Sequence, residues 1–111
     1  MPLQAWWGGG EALPGVAQSR RRRVDPHEWW RAATDAAAAG GQLVALWAAP
    51  PARAASGVVM RAALMTDRGL LVLELPVPDG AGYRGLYEIF PAASRMQRAA
   101  FDLLGARSRE G

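Results

Sequence analysis

Residues 57–75, GVVMRAALMTDRGLLVLEL, narrow the choice of fold more than any other stretch of the chain. Two apolar runs, 57–65 and 70–75, flank Thr66-Asp67-Arg68-Gly69. An aspartate that can bond its own backbone and a glycine that accepts positive φ make this a turn. Strand-like runs joined so closely read as an antiparallel hairpin. Pro76 and Pro78 follow at once. Proline cannot donate to a central ladder, so the sheet is expected to end there.

The rest of the chain offers further strands and two helices to cover them. Residues 42–48, QLVALWA, read as a buried strand, and the loop at 50–56 leads from it to the hairpin. Residues 16–24 read as a first strand or its approach, with Arg20, Arg21, Arg22 and Arg23 on the exposed side. Asp25-Pro26-His27-Glu28 is a helix start: Asp25 caps, Pro26 suits the first helical position, and Glu28 completes a capping box. The helix is expected to run to about Ala39, with Trp30, Ala33 and Ala37 on one face and Gly40-Gly41 as its stop. Asp79-Gly80-Ala81-Gly82 is a flexible connection. A last helix starts at Pro91, carries an apolar stripe of Ala93, Met96, Ala100, Leu103 and Leu104, and closes at Gly105. The order strand, helix, strand, strand, strand, helix predicts an α+β fold: a two-layer α/β sandwich. Its mostly antiparallel sheet of about four strands carries both helices on one face. Residues 1–15, MPLQAWWGGGEALPG, read as an irregular N-terminal segment. Trp6 and Trp7 there either cover an edge of the core or face a partner. Residues 16–111 form a single domain.

Composition narrows the chemistry. The chain has no cysteine and one histidine, His27. Without thiolates it cannot ligate an iron–sulfur cluster, a nickel–iron centre or a four-ligand structural zinc by itself. A cysteine nucleophile is excluded, and a Ser-His-Asp triad would need His27, which falls in the first turn of a helix as an ordinary surface residue. None of the 10 Asp and Glu residues forms a telling pair. No catalytic, cofactor-binding or metal-binding residue is expected. No apolar run approaches the ~18 residues of a membrane helix, and no secretory signal is recognisable, so a cytoplasmic protein is expected. The net charge is +3, and every basic residue is an arginine.

Leu75-Pro76-Val77-Pro78 is followed by Tyr83-Arg84-Gly85-Leu86 and Ile89-Phe90-Pro91-Ala92-Ala93. Gln97-Arg98-Ala99-Ala100-Phe101-Asp102-Leu103-Leu104-Gly105 completes the succession. It resembles the C subunit of respiratory NADH-quinone oxidoreductase. It also resembles the related N-terminal domain of the large subunit of formate hydrogenlyase and other membrane-bound nickel–iron hydrogenases. That family has a VPVP segment, an acidic Gly-rich loop, an aromatic Y-x-S-L segment, and a proline-started helix with the core E-R-E-x-x-D-L-F-G. The order of elements upstream also fits, although only residues 75–105 carry specific motifs. Gln97 and Ala99 stand where the family has glutamates, which leans toward the hydrogenase-linked branch. The basic continuation after the glycine is largely missing. That short end suggests either a domain of a longer polypeptide or a stand-alone accessory protein, and both remain open.

The resemblance implies a module with no cofactor in this chain, not catalytic by itself, that assists an oxidoreductase. Its partners would be the hydrogenase or NADH dehydrogenase large subunit and the small iron–sulfur subunit. It would lie in the cytoplasm, peripheral to the inner membrane through the complex. Tyr83, Tyr87, Arg98 and Asp102 are the partner-binding candidates. Arg98 offers a guanidinium fork to a partner carboxylate, the aromatics are interface anchors, and Phe90 closes the end of the core. Alternatively, Arg98 and Asp102 form an exposed i,i+4 pair. Loss of the glutamates at positions 97 and 99 would weaken contact with a basic partner surface.

A second reading is a small nucleic-acid-binding module that uses the arginines at 20–23. Sheets that bind RNA present exposed aromatics, whereas these strands offer only Trp47, so no nucleic acid is expected. The uncovered sheet face would favour self-association in isolation.

Overall fold

The computed structural model describes residues 11–12, 19–51 and 56–109. The hairpin expected from the sequence is its centre. β4 (Val58–Thr66) and β5 (Gly69–Val77) pair antiparallel from Val58↔Val77 to Thr66↔Gly69. The turn is tied by the Thr66 hydroxyl, which donates to the Gly69 carbonyl at 2.9 Å and accepts from the Arg68 N–H at 3.1 Å. β3 (Gln42–Ala49) lies antiparallel beside β4 as one edge, with a register shift between Leu43 and Ala45. On the other side β2 (Ser19–Arg23) runs parallel to β5, and β1 (Glu11–Ala12) pairs antiparallel with β2. The sheet order is β1-β2-β5-β4-β3. β1 falls inside the segment expected to be irregular. Trp6 and Trp7 lie outside the described residues.

β5 continues through Pro76, which pairs with Val59, so the proline does not end the sheet. The Val24 N–H donates to the Glu74 carbonyl at 2.8 Å, so even-numbered residues of β5 turn their backbone groups toward β2. β2 stops at Arg23, and the N–H that Pro76 lacks would have pointed at an edge with no strand on it. Proline is tolerated because the ladder is already open there.

Helix α1 (Pro26–Ala38) starts with the expected capping box. Asp25 Oδ1 accepts from the Glu28 N–H at 2.8 Å, and Glu28 Oε1 accepts from the Asp25 N–H at 3.0 Å. At its end Gly40 takes φ +84, and the Gly41 N–H reaches back to the Ala36 carbonyl at 2.8 Å. The buried face is Trp29, Ala32, Ala33 and Ala36. That is roughly a quarter turn away from the expected face of Trp30, Ala33 and Ala37. Trp29, not Trp30, fills the core: it is fully buried, meets the Tyr83 ring edge-on at 6.2 Å, and donates its indole N–H to the Arg84 carbonyl at 2.9 Å.

Helix α2 (Ala93–Leu104) begins two residues after the expected Pro91. The segment before it is a turn, in which the Ile89 and Phe90 N–H groups both donate to the Leu86 carbonyl, at 3.0 and 2.8 Å. Phe90 is buried in that turn and closes the end of the core. No side chain caps the helix N-terminus; Gly105, at φ +73, closes its other end. The buried line is Ala93, Gln97 and Ala100, with Met96 half-buried. Leu103 is 81% exposed and does not belong to the apolar stripe. It lies about a quarter turn from the line through Ala93, Gln97 and Ala100.

Both helices pack on one face of the sheet. Trp29, Ala36, Ala93 and Ala100 share a core with Leu43, Leu46, Met60, Ala62, Leu64, Leu71, Leu73 and Leu75, which alternate along the strands toward the helices. The opposite face is not simply open: Val59, Ala63 and Val72 are buried there, while Trp47 and Met65 are exposed. Its centre is Glu74, whose side chain is only 8% exposed. Arg61 Nε donates to Glu74 Oε2 at 2.9 Å, and Arg21 Nε lies 3.6 Å from Oε1. A charge buried between strands is tolerated only with partners of this kind. No helix among the described residues is long and apolar enough to cross a membrane.

A candidate docking surface around the second helix

The surface that contains the partner-binding candidates is built by the chain between β5 and α2 and by the chain after α2. Pro78 starts a turn closed by the Ala81 N–H, which donates to the Pro78 carbonyl at 3.0 Å. β6 (Tyr83–Arg84) then pairs in parallel with β7 (Ser108–Arg109), which follows α2. The Tyr83 and Gly85 N–H groups donate to the Arg107 and Arg109 carbonyls at 2.9 and 3.0 Å. Two further bonds hold this ribbon to the body: the Trp29 indole to the Arg84 carbonyl, and the Leu86 N–H to Gln97 Oε1 at 2.7 Å.

The four sequence candidates separate. Tyr83 is 1% exposed and belongs to the core, so it presents no surface to a partner. Its position on β6 turns the ring toward Trp29. Tyr87 is 43% exposed. Arg98 and Asp102 are both exposed, but no ion pair joins them. Gln97, expected to have weakened an outward contact by replacing a glutamate, is 6% exposed and points inward. Its amide oxygen is the acceptor for a buried backbone N–H that would otherwise be unsatisfied. Ala99 is on the exposed side of α2.

Tyr87 and Arg98 line one open groove between α2 and the β6–β7 ribbon, together with Phe101, Arg107, Arg109 and Gly82. Phe101 is 43% exposed, and the Arg107 guanidinium lies 5.2 Å from its ring centroid. The groove wall contains three arginines and no carboxylate among the described residues. Sequence reasoning missed Phe101, Arg107 and Arg109. Phe101 sits three residues after Arg98, a spacing that places both on one helix side. The two arginines follow a helix stop, where pattern reading has no period to use.

The arginines at 20–23 do not form one cationic surface. Register places Arg20 and Arg22 beside Leu71 and Leu73, toward the helices, and Arg21 and Arg23 beside Val72 and Glu74, on the opposite face. Arg21 serves Glu74. Alternation along a strand thus divides the run, leaving no continuous track for a phosphate backbone.

The described residues contain no group of three or more His, Cys, Asp or Glu side chains able to hold a metal ion. His27 is exposed in the first turn of α1. Among its described residues the site offers arginine forks, aromatic faces and backbone groups, with no nucleophile paired with a base. No protein-family model matches the chain, and no curated protein sequence matches it.

Proposed function

We propose that this chain is a cofactor-free docking domain, similar to the C subunit of NADH-quinone oxidoreductase, in a membrane-associated electron-transfer complex of hydrogenase or NADH dehydrogenase type. It packs against the large subunit near the iron–sulfur subunit, and it lies in the cytoplasm against the inner membrane only through the complex. The observation that carries this reading is the outward side of α2 and the turn before it. Tyr87 and Phe101 are each more than two-fifths exposed and line one groove with Arg98, and Leu103, on another side of α2, is 81% exposed. Aromatic side chains and arginine are the residue types enriched at interface cores. The same stretch, residues 75–105, carries the motif resemblance.

The test is co-purification of the tagged full chain from its own cells, with mass spectrometry of the bound proteins. The expected result is a large subunit with Cys-x-x-Cys pairs, or its NADH dehydrogenase relative, together with a small iron–sulfur subunit. A chain that elutes as a monomer and brings down neither would overturn the proposal.

A further inference from the structure

We infer that the groove between α2 and the β6–β7 ribbon binds a short acidic segment of a partner protein in extended form. This inference rests on the docking reading and specifies its chemistry. Arg98, Arg107 and Arg109 line the groove, and no carboxylate among the described residues does. Neither Arg98 nor Arg107 makes an ion pair with a described residue. An arginine fork is suited to carboxylate, which it can grip through two parallel hydrogen bonds. Tyr87 and Phe101 add half-exposed ring surface to the same groove, which suits an apolar side chain beside the acidic ones.

The dimensions favour a peptide of limited length. The helix wall runs from Ser94 to Phe101, about 10 Å at the rise of an α-helix. An extended chain covers that distance in about three residues. Nucleic acid is a poorer match. The arginines of β2 are divided between the two faces of the sheet, so they add no continuous cationic track. Gly82 keeps the ribbon side of the groove close: a Cβ there would come within 3.1 Å of the Arg107 carbonyl and 3.3 Å of the Arg109 side chain.

The experiment is a fluorescence anisotropy titration of the full 111-residue chain with a labelled peptide Glu-Leu-Glu-Leu-Glu, with Lys-Leu-Lys-Leu-Lys as control. R98E and R107E are the test variants, and circular dichroism checks that both remain folded. The acidic probe is expected to bind saturably and the basic one not at all. Each charge reversal should weaken binding by at least about tenfold. The inference is overturned if the acidic probe does not bind, if it binds R98E and R107E as it binds the wild type, or if a single-stranded oligonucleotide binds more tightly than the peptide. Co-purification separates this failure from failure of the docking reading. A large subunit still recovered with R98E and R107E removes the groove and leaves docking in place. A large subunit absent with the wild type removes docking, while the titration still reports on the groove.

Discussion

The two helices lie on the same face of the same sheet, yet they are built to opposite standards. α1 has a complete capping box, proline at its first position and a glycine stop. It buries a tryptophan and three alanines. α2 has no side-chain cap, buries two alanines and a glutamine, and leaves Phe101, Leu103 and Leu104 exposed. A helix that needed only to complete the core would place its leucines inward. The contrast teaches that α1 puts its largest side chain into the core, while α2 packs along β3 through small side chains and leaves its larger apolar ones exposed.

The largest effect should come from α1. Trp29→Ala removes a fully buried ring and its indole hydrogen bond, and should cost about 3–5 kcal/mol, a large share of the stability of a domain this size. Guanidinium unfolding followed by far-UV circular dichroism reads this directly. A cost below about 1 kcal/mol would dissolve the contrast.

Gln97→Ala tests the side-chain hydrogen bond that ties α2 to the turn before it. It strands the buried Leu86 N–H, and an unsatisfied buried donor costs about 1–3 kcal/mol. The same unfolding experiment applies. Hydrogen exchange should show the Leu86 amide losing protection ahead of the sheet amides.

Asp25→Ala removes the side-chain acceptor of the α1 cap and should cost about 1 kcal/mol. No substitution at Ala92 has an equivalent cost, because no side-chain cap exists there. A small change in denaturation midpoint for the first and none for the second would sharpen the comparison.

Phe101→Ser and Leu103→Ser should alter stability least, within about 0.5 kcal/mol. They should nonetheless abolish recovery of the large subunit in co-purification. If they destabilise the chain as Trp29→Ala does, the outward side of α2 belongs to the fold and not to a partner.

Much of the architecture is legible in local pattern. The hairpin, the strand at its edge and the start and stop of α1 follow from turn residues, β-rich runs and a capping box, all of which act over a few neighbouring positions. The faces of the helices are less legible. Trp29 and Trp30 are adjacent, and period alone does not choose which one enters the core. On α2 the inward position is taken by a polar residue, Gln97, so a search for apolar spacing promotes Leu103 instead. Pro76 reads as the end of a strand because the rule against proline assumes a neighbour on both sides, and β2 has already stopped.

The candidate site is legible only in part. Tyr87 and Arg98 share a groove, as two of the four expected contacts; Tyr83 turns inward, and Asp102 makes no pair with Arg98. Arg107 and Arg109 escape notice, because nothing local says that the chain after α2 returns to pair with β6. The sequence by itself determined the order of the longer elements, the mixed α+β class and the lack of any cysteine for metal chemistry, since these depend on composition and on contacts within a few residues. Only the tertiary structure decided that the four arginines of β2 divide between two faces, that Gln97 is an internal hydrogen-bond partner, and that three arginines and two aromatics line one groove. Those outcomes depend on strand register and helix rotation, which are set by packing between segments far apart in the chain.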